Sequence, residues 1–364
     1  MLVALVHDYL TQYGGAERVL AALHDLFPAA PVYTSLYAPA HLPEMFRTWD
    51  ILTSPIGHIP GAARTHRAWL PLYPTLFRQI GRQLHDFDVV ISDSSAWSHH
   101  ADPGPDVPHI CYCHSPARFL YGDHHYLGPA RIPTPMQPLT DKLFANMQAL
   151  DRRAARRVTR YVANSNAVAQ RIEDAYGIEA NVVYPPVETE RFRPAAPRPV
   201  EDYFLVVSRL VPHKRVDLAV RTCTDARLPL KVIGDGRSRA ELAHLAGPTV
   251  EFLGQLHDAA VVDHMQRCRA LILPGVEDFG MTAVEAQAAG RPVVALAGGG
   301  ALETVIPGET GILFPAPTVD ALTAALSDVA AVEWDAVRIG ANAERFNREQ
   351  FLAGIGAVVA TLSR

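Results

Sequence analysis

The residues best placed to do chemistry lie between Pro274 and Pro292, in the stretch PGVEDFGMTAVEAQAAGRP. Two carboxylates, Glu277 and Glu285, stand on either side of the turn Phe279-Gly280-Met281-Thr282. Before them RALILP is an apolar run of strand type, and after Thr282 the run AVEAQAA is made of strong helix formers. The spacing predicts strand, loop and helix, with Gly280 near the helix start and Gly290 ending it. Unsatisfied N–H groups and the positive end of the helix dipole favour an electron-rich ligand at such a start. Glu277 just before the turn, and Glu285 about one and a half turns into the helix, add acceptors for hydroxyls. A ligand rich in hydroxyls and carrying phosphate, such as a sugar nucleotide, fits both features.

Cations follow the same pattern of placement. Arg209 ends the strand-type run YFLVVSR, and Lys214 opens the helical KRVDLAVRTC after the loop LVPH. Two cations around a helix start at a strand end suit a diphosphate, a solvated basic pair being the plainer reading. LKVIGDG, with Gly234, is the next strand and turn, and Gly298-Gly299-Gly300 forms another turn where a ligand could approach the backbone. Near the start of the chain Gly14-Gly15 separates the run LVALVHDY from the helical AERVLAALHDLF. Such a pair allows close backbone approach to a ligand or simply makes a tight turn, and Glu17 suits the first helical turn. The dinucleotide fingerprint G-x-G-x-x-G is absent there. The strand VVIS ends at Ser92-Asp93-Ser94-Ser95 and HICYC ends at His114-Ser115-Pro116. Ligands collect beyond the carboxyl ends of parallel strands, which makes His114 a site candidate.

Two apparent metal motifs are set aside. Asp86-Phe-Asp88 spells an Asp-x-Asp signature but runs directly into VVIS, so it reads as a strand cap. Cys111 and Cys113 lie near His109 and His114 but lack the zinc-type Cys-x-x-Cys spacing and read as structural. No metal or other cofactor is expected.

The elements that must carry these residues repeat. Strand, loop and helix alternate along the 364 residues, enough for two α/β domains. Prolines 185, 186, 194, 197 and 199 mark a linker, giving expected domains at 1–196 and 197–344 with a terminal helical segment at 345–364. A formal net charge of −5 argues against generic nucleic-acid binding. The start MLVALVHDYL reads as neither basic leader nor signal peptide, and no apolar run reaches the ~18–20 residues of a membrane span. A cytoplasmic protein is expected. Residues 61–84 mix arginines with Trp69, Leu70, Leu72, Tyr73, Leu76 and Phe77, a candidate contact with the inner face of an anionic membrane. The alternative is a helix packed on the sheet. Arg152, Arg153, Arg156, Arg157 and Arg160 spread round a helix expected at Leu139 to Arg160 and read as a solvated or interdomain face.

The ordered set HDYLTQYGGAERVL, CYCHSPARF, ANSNAVAQRI, VYPPVETERF, VVSRLVPHKRVDLAV, VIGDGRSR, FLGQL and PGVEDFGMTAVEAQAAGRPVVA with GGGALETV resembles the retaining family 4 glycosyltransferases of GT-B fold. It is most similar to bacterial enzymes that use GDP-mannose in making cell-surface polysaccharide or glycolipid. The resemblance implies two Rossmann-like domains facing a cleft, with the last helix crossing back to the first domain. It implies that Gly14 and Gly15 lie at the donor phosphate and that Arg209 and Lys214 hold the diphosphate. Glu285 would take the ribose hydroxyls. Glu277 and the backbone of Phe279, Gly280, Met281 and Thr282 would take the donor hexose. His114 would face the reacting sugar, and Gly234 and Asp258 would border the base. The expected activity is transfer of a hexose, mannose from GDP-mannose being preferred, to a glycan, glycolipid or small-molecule acceptor. A nucleotide-sugar 2-epimerase and a UDP-sugar transferase are the alternatives.

Overall fold

The computed structural model describes residues 1–122, 137–196 and 198–362. The chain divides into two units, Met1–Tyr184 with Phe351–Arg364, and Pro185–Gln350. The expected boundary at 196/197 therefore falls inside the second unit, twelve residues beyond the observed one, and Pro197 itself lies outside the described residues. The prolines at 185 and 186 mark the change of unit, whereas those at 194 and 199 sit within the second.

The first unit holds seven parallel strands: β1 (Val3–His7), β2 (Val32–Thr34), β3 (Ile51–Thr53), β4 (Val89–Ser94), β5 (His109–Cys113), β6 (Arg160–Ala163) and β7 (Ala180–Val182). Their order is β3-β2-β1-β4-β5-β6-β7. Strands buried on both faces need both faces covered. On one, Val3, Leu5, Val89, Ile91, Ile110 and Tyr112 pack with Val19, Leu20 and Leu23 of the helix Gly15–Leu26. Phe351, Ile355 and Val359, spaced four apart on the last helix Arg348–Leu362, close the same cluster. On the other face Ala4, Val6 and Val90 meet Tyr73, Phe77, Ile80 and Trp97.

That second layer bears on the two readings of residues 61–84. In residues 61–84 the aromatic and aliphatic side chains are largely spent on the core: Tyr73, Leu76, Phe77 and Ile80 are buried, and Trp69 and Leu70 pack partly against the same cluster. Leu72 stays exposed. The helix Tyr73–Gly81 covers the sheet with its apolar side, the second of the two readings of this segment. Among the described residues no helix is long and apolar enough to cross a membrane.

The helix Gln137–Ala155 is tied down by a buried polar knot. Asp151 Oδ1 lies 2.9 Å from His100 Nε2 and 3.1 Å from His99 Nε2, and Tyr176 donates its hydroxyl to Oδ2 at 2.9 Å. Burial opposes the charge of Asp151, yet the two imidazoles hold its carboxyl well below the usual range. Burial likewise opposes a charge on His99, and Asp151 overcomes it and raises that pKa. On His100 burial wins, lowering its pKa to about 4, so it stays neutral and donates one N–H. A buried pair with one partner removed leaves an uncompensated charge. Asp151→Ala is expected to destabilise the first unit by about 3–5 kcal/mol, measured by urea unfolding. A loss below about 1 kcal/mol would mean that the knot contributes little. Of the arginines further along, Arg153 and Arg156 are exposed, Arg152 donates Nε–H to the Ala175 carbonyl at 3.0 Å, and Arg157 pairs with Asp102 at 2.7 Å.

The second unit has six parallel strands: β8 (Phe204–Val207), β9 (Leu230–Ile233), β10 (Val250–Gly254), β11 (Ala270–Leu273), β12 (Val293–Leu296) and β13 (Gly311–Phe314). Their order is β10-β9-β8-β11-β12-β13. In both sheets the strand order reverses once, between β1 and β4 and between β8 and β11. At such a switch point adjacent connections leave on opposite faces and open a crevice at the carboxyl ends. Asp88 lies at the other end: its carboxylate caps the amino edge of β4 by accepting from Leu2 N–H at 2.6 Å, and Asp86 is exposed beside His85.

Candidate active site

In the second unit the switch point brings the cations and the carboxylates together. Arg209 and Lys214 follow β8, and Glu277 follows β11, its direct neighbour. The Lys214 ammonium forms an ion pair with Glu277 Oε2, both side chains being mostly buried. The Glu277 backbone is held as well, since its carbonyl accepts from Gly300 N–H at 3.0 Å. Arg209 is exposed and has no ion-pair partner among the described residues. An ammonium and a carboxylate are thus paired just before one helix start, with an exposed guanidinium on the loop that also carries the ammonium.

That helix, Met281–Ala288, begins as the spacing predicts. Gly280 is its N-cap with φ 87°, a left-handed conformation that side-chain-bearing residues rarely adopt. The turn lets the chain leave β11 and begin a helix whose first-turn N–H groups, those of Met281 and Thr282, have no intrahelical acceptor. Phe279 is buried, its ring edge-on to Phe346 at 5.4 Å, so its side chain anchors the turn and only its backbone remains for a ligand. Glu285 is 4% exposed, a nearly enclosed carboxylate on the same helix.

The two residues expected at the base, Gly234 and Asp258, follow β9 and β10. Gly234 has its own structural reason: a Cβ there would meet the Ser208 carbonyl at 1.9 Å, so glycine is what lets the β9 exit lie against the β8 exit. Asp258 follows β10, an edge strand two places from β8, and one of its oxygens pairs with Arg191 at 2.8 Å. The structure brings Lys214 and Glu277 into contact just before Gly280, with Arg209 following the same strand as Lys214 and Asp258 following the edge strand β10.

In the first unit Gly14 and Gly15 start the helix after β1, and His114 follows β5. The Gly14 N–H is already taken, donating to Glu17 Oε2 at 2.8 Å, the half of a capping box that glycine can make. Glu17 Oε1 lies 3.8 Å from His7 Nε2, and His7 Nδ1 lies 2.8 Å from Asp93 Oδ2. The other oxygen of Asp93 reaches His114 Nε2 at 2.5 Å. Burial alone would lower the His7 pKa, but Asp93 and Glu17 raise it to about 10. Burial also opposes charge on His114 and on Asp93; their mutual attraction raises the one and lowers the other. His7 and Asp93 escape a sequence reading because they sit 86 positions apart. The one available signal is that each is a polar residue at or next to the end of a strand that opens with an apolar run.

Comparisons with known proteins agree with this architecture. The family model for glycosyltransferase family 4 matches residues 13–191, and that for glycosyl transferases group 1 matches residues 188–346. The chain is 32% identical over 234 residues to a GDP-mannose-dependent alpha-mannosyltransferase of Mycolicibacterium smegmatis, covering 57% of this chain and 60% of that one. It is 32% identical over 203 residues to a D-inositol 3-phosphate glycosyltransferase of Kribbella flavida, covering 47% and 48%. The matches thus span between a third and three fifths of these curated relatives. Among solved structures, the sucrose-phosphate synthase of Thermosynechococcus elongatus aligns over 100% of this chain and 99% of its own, with TM-score 0.75 and 17% identity. The Anabaena HepE protein in complex with UDP and glucose aligns over 99% of both chains, with TM-score 0.74 and 19% identity. With two Rossmann-type units of the GT-B fold and consecutive family models from residue 13 to residue 346, the chain belongs to the family 4 glycosyltransferases.

Proposed function

We propose that the protein is a retaining hexosyltransferase that moves mannose from GDP-mannose to a hydroxyl of a lipid-linked or glycan acceptor. The observation that carries this reading is the Lys214–Glu277 pair at the switch point beside the helix start at Gly280. The leaving group is a nucleoside diphosphate, and charge develops on it as the glycosidic bond lengthens. Lys214 and Arg209 answer that charge as preorganised cations, with no step requiring a metal. Glu277, fixed at its backbone and steered by Lys214, accepts from hexose hydroxyls, and Glu285 accepts from the ribose. A carboxylate already paired with an ammonium is a poor covalent nucleophile, which favours a front-face path through an ion pair. The departing phosphate oxygen then takes the proton of the acceptor hydroxyl. His114 and the Gly14–Gly15 turn are the first unit's contribution to the reaction.

The choice of GDP-mannose is supported by the names of the mycobacterial and corynebacterial relatives, which are GDP-mannose-dependent. A UDP-sugar donor is the second reading, favoured by the UDP and glucose bound to HepE. A thermal-shift panel of GDP, UDP, ADP and dTDP sugars, followed by transfer of labelled hexose to a lipid extract in the presence of chelator, separates them. GDP-mannose is expected to stabilise most, and transfer is expected to survive chelation. A clear preference for UDP sugars selects the second reading, and interconversion without transfer sinks both in favour of an epimerase.

A further inference from the structure

In a strand alternate side chains share a face. Val3, Leu5 and His7 on β1, Val89, Ile91 and Asp93 on β4, and Ile110 and Tyr112 on β5 follow that period. The register sets His7 opposite Asp93 and Asp93 opposite Tyr112. The apolar members make the core beneath the helix Gly15–Leu26. The last rung of the same face is ionic, and His114 continues it one step past Tyr112, whose ring stands edge-on to the imidazole at 5.4 Å.

A carboxylate with no exposure needs partners for its charge and for its lone pairs. His7 alone would supply the countercharge. Asp93 nevertheless directs its second oxygen to His114, whose side chain, 14% exposed, is more open than that of His7 or Glu17. An ionised carboxylate only accepts, so the nitrogen facing it must carry the proton. That fixes His114 with Nε2–H on Asp93 and leaves Nδ1 as the nitrogen for other chemistry. Along the chain His7 stands between Asp93 and Glu17, and Glu17 in turn holds the Gly14 N–H.

We propose that Asp93 is a positioning residue for His114, and that His7 and Glu17 extend the same buried chain to the Gly14–Gly15 turn, so that one set of charges orients both. The role of His114 in transfer rests on the function proposed above; the chain of contacts does not. Strand ends are rigid supports, which suits a residue that must hold an imidazole to a fraction of an ångström. Asn164 assists by donating its side-chain N–H to the His114 carbonyl at 3.3 Å.

Two measurements on the full chain test this. Nitrogen-15 imidazole spectra of the unaltered protein are expected to show His7 protonated at both nitrogens and His114 protonated at Nε2. A His114 ring averaging freely between tautomers would overturn the proposal whether or not a donor is known. In transfer assays Asp93→Asn is expected to lower kcat on the order of 10²-fold while the donor KM stays within about threefold. Its His114 signals should lose the fixed Nε2–H pattern. His7→Gln, which leaves the Asp93 carboxylate facing His114 but removes its countercharge, should give a smaller loss of about tenfold. Wild-type kcat in Asp93→Asn would sink the proposal. Absence of transfer by the unaltered protein from every nucleotide sugar would instead sink the transferase reading, and the spectra would still decide the positioning role.

Discussion

Replacing Lys214 with alanine is expected to cost transfer about 10²–10³ in kcat/KM, the range seen when a preorganised electrostatic donor is removed from a developing charge. Two effects add. The leaving diphosphate loses a cation, and Glu277 keeps a mostly buried carboxylate whose ammonium partner has gone. The second effect disturbs the group proposed to hold the hexose, so the loss should appear in kcat as well as in donor KM. Lys214→Arg should recover little, because a planar guanidinium fork does not replace a compact ammonium in an enclosed pair. Arg209→Ala, removing an exposed side chain, should cost about tenfold and respond to salt. Steady-state kinetics of the three variants with one donor checks the set. Activity of Lys214→Ala within threefold of the unaltered chain would remove the pair from the mechanism.

A stability effect as large as that at Asp151 is expected at Asp8, just past β1. Its carboxylate accepts four backbone N–H bonds from the loop after β4. Ser95 at 2.6 Å and Ala96 at 2.8 Å reach Oδ2; Trp97 at 2.7 Å and Ser98 at 2.6 Å reach Oδ1. Successive N–H groups curled round an anion form a nest, and without the anion they face one another's partial charges with no acceptor. Each buried donor left unpaired costs about 1–3 kcal/mol, with losses that overlap in one loop. Asp8→Ala is therefore expected to destabilise the first unit by about 4 kcal/mol. For a unit of this size that lowers its Tm by roughly 8–16 °C. Asp8→Asn keeps one acceptor oxygen and should recover about half. A calorimetric shift below about 3 °C for Asp8→Ala would show that water replaces the carboxylate without loss. The same loop leads from Asp93, so the variant should also lower activity.

How much of this was legible in advance follows from the range of each interaction. The strand, loop and helix around Glu277 and Glu285 could be read from a window of about twenty residues, since apolar runs, helix formers and a glycine at the N-cap are local signals. Arg209 and Lys214 were legible for the same reason, each defined by its place after a strand. Gly234 is legible as a turn, but nothing local reveals the Ser208 carbonyl it must pass. Tyr73 and Phe77 looked like surface aromatics among arginines, and only their packing against Ala4, Val6 and Val90 shows which way the helix faces.

The sequence by itself determined two series of strand and helix, the polar and glycine residues at their strand ends, and the two carboxylates round Gly280. Tertiary structure alone decided the strand order, and with it which strand ends meet. Pairing β1 with β4 brings His7 to Asp93, pairing β4 with β5 brings His114 within reach of the same carboxylate, and placing β8 beside β11 joins Lys214 to Glu277. Contacts across 63 to 86 positions have no periodicity to announce them. They form because a parallel sheet aligns residues distant in sequence, and burial then makes unpaired charges too costly to leave alone.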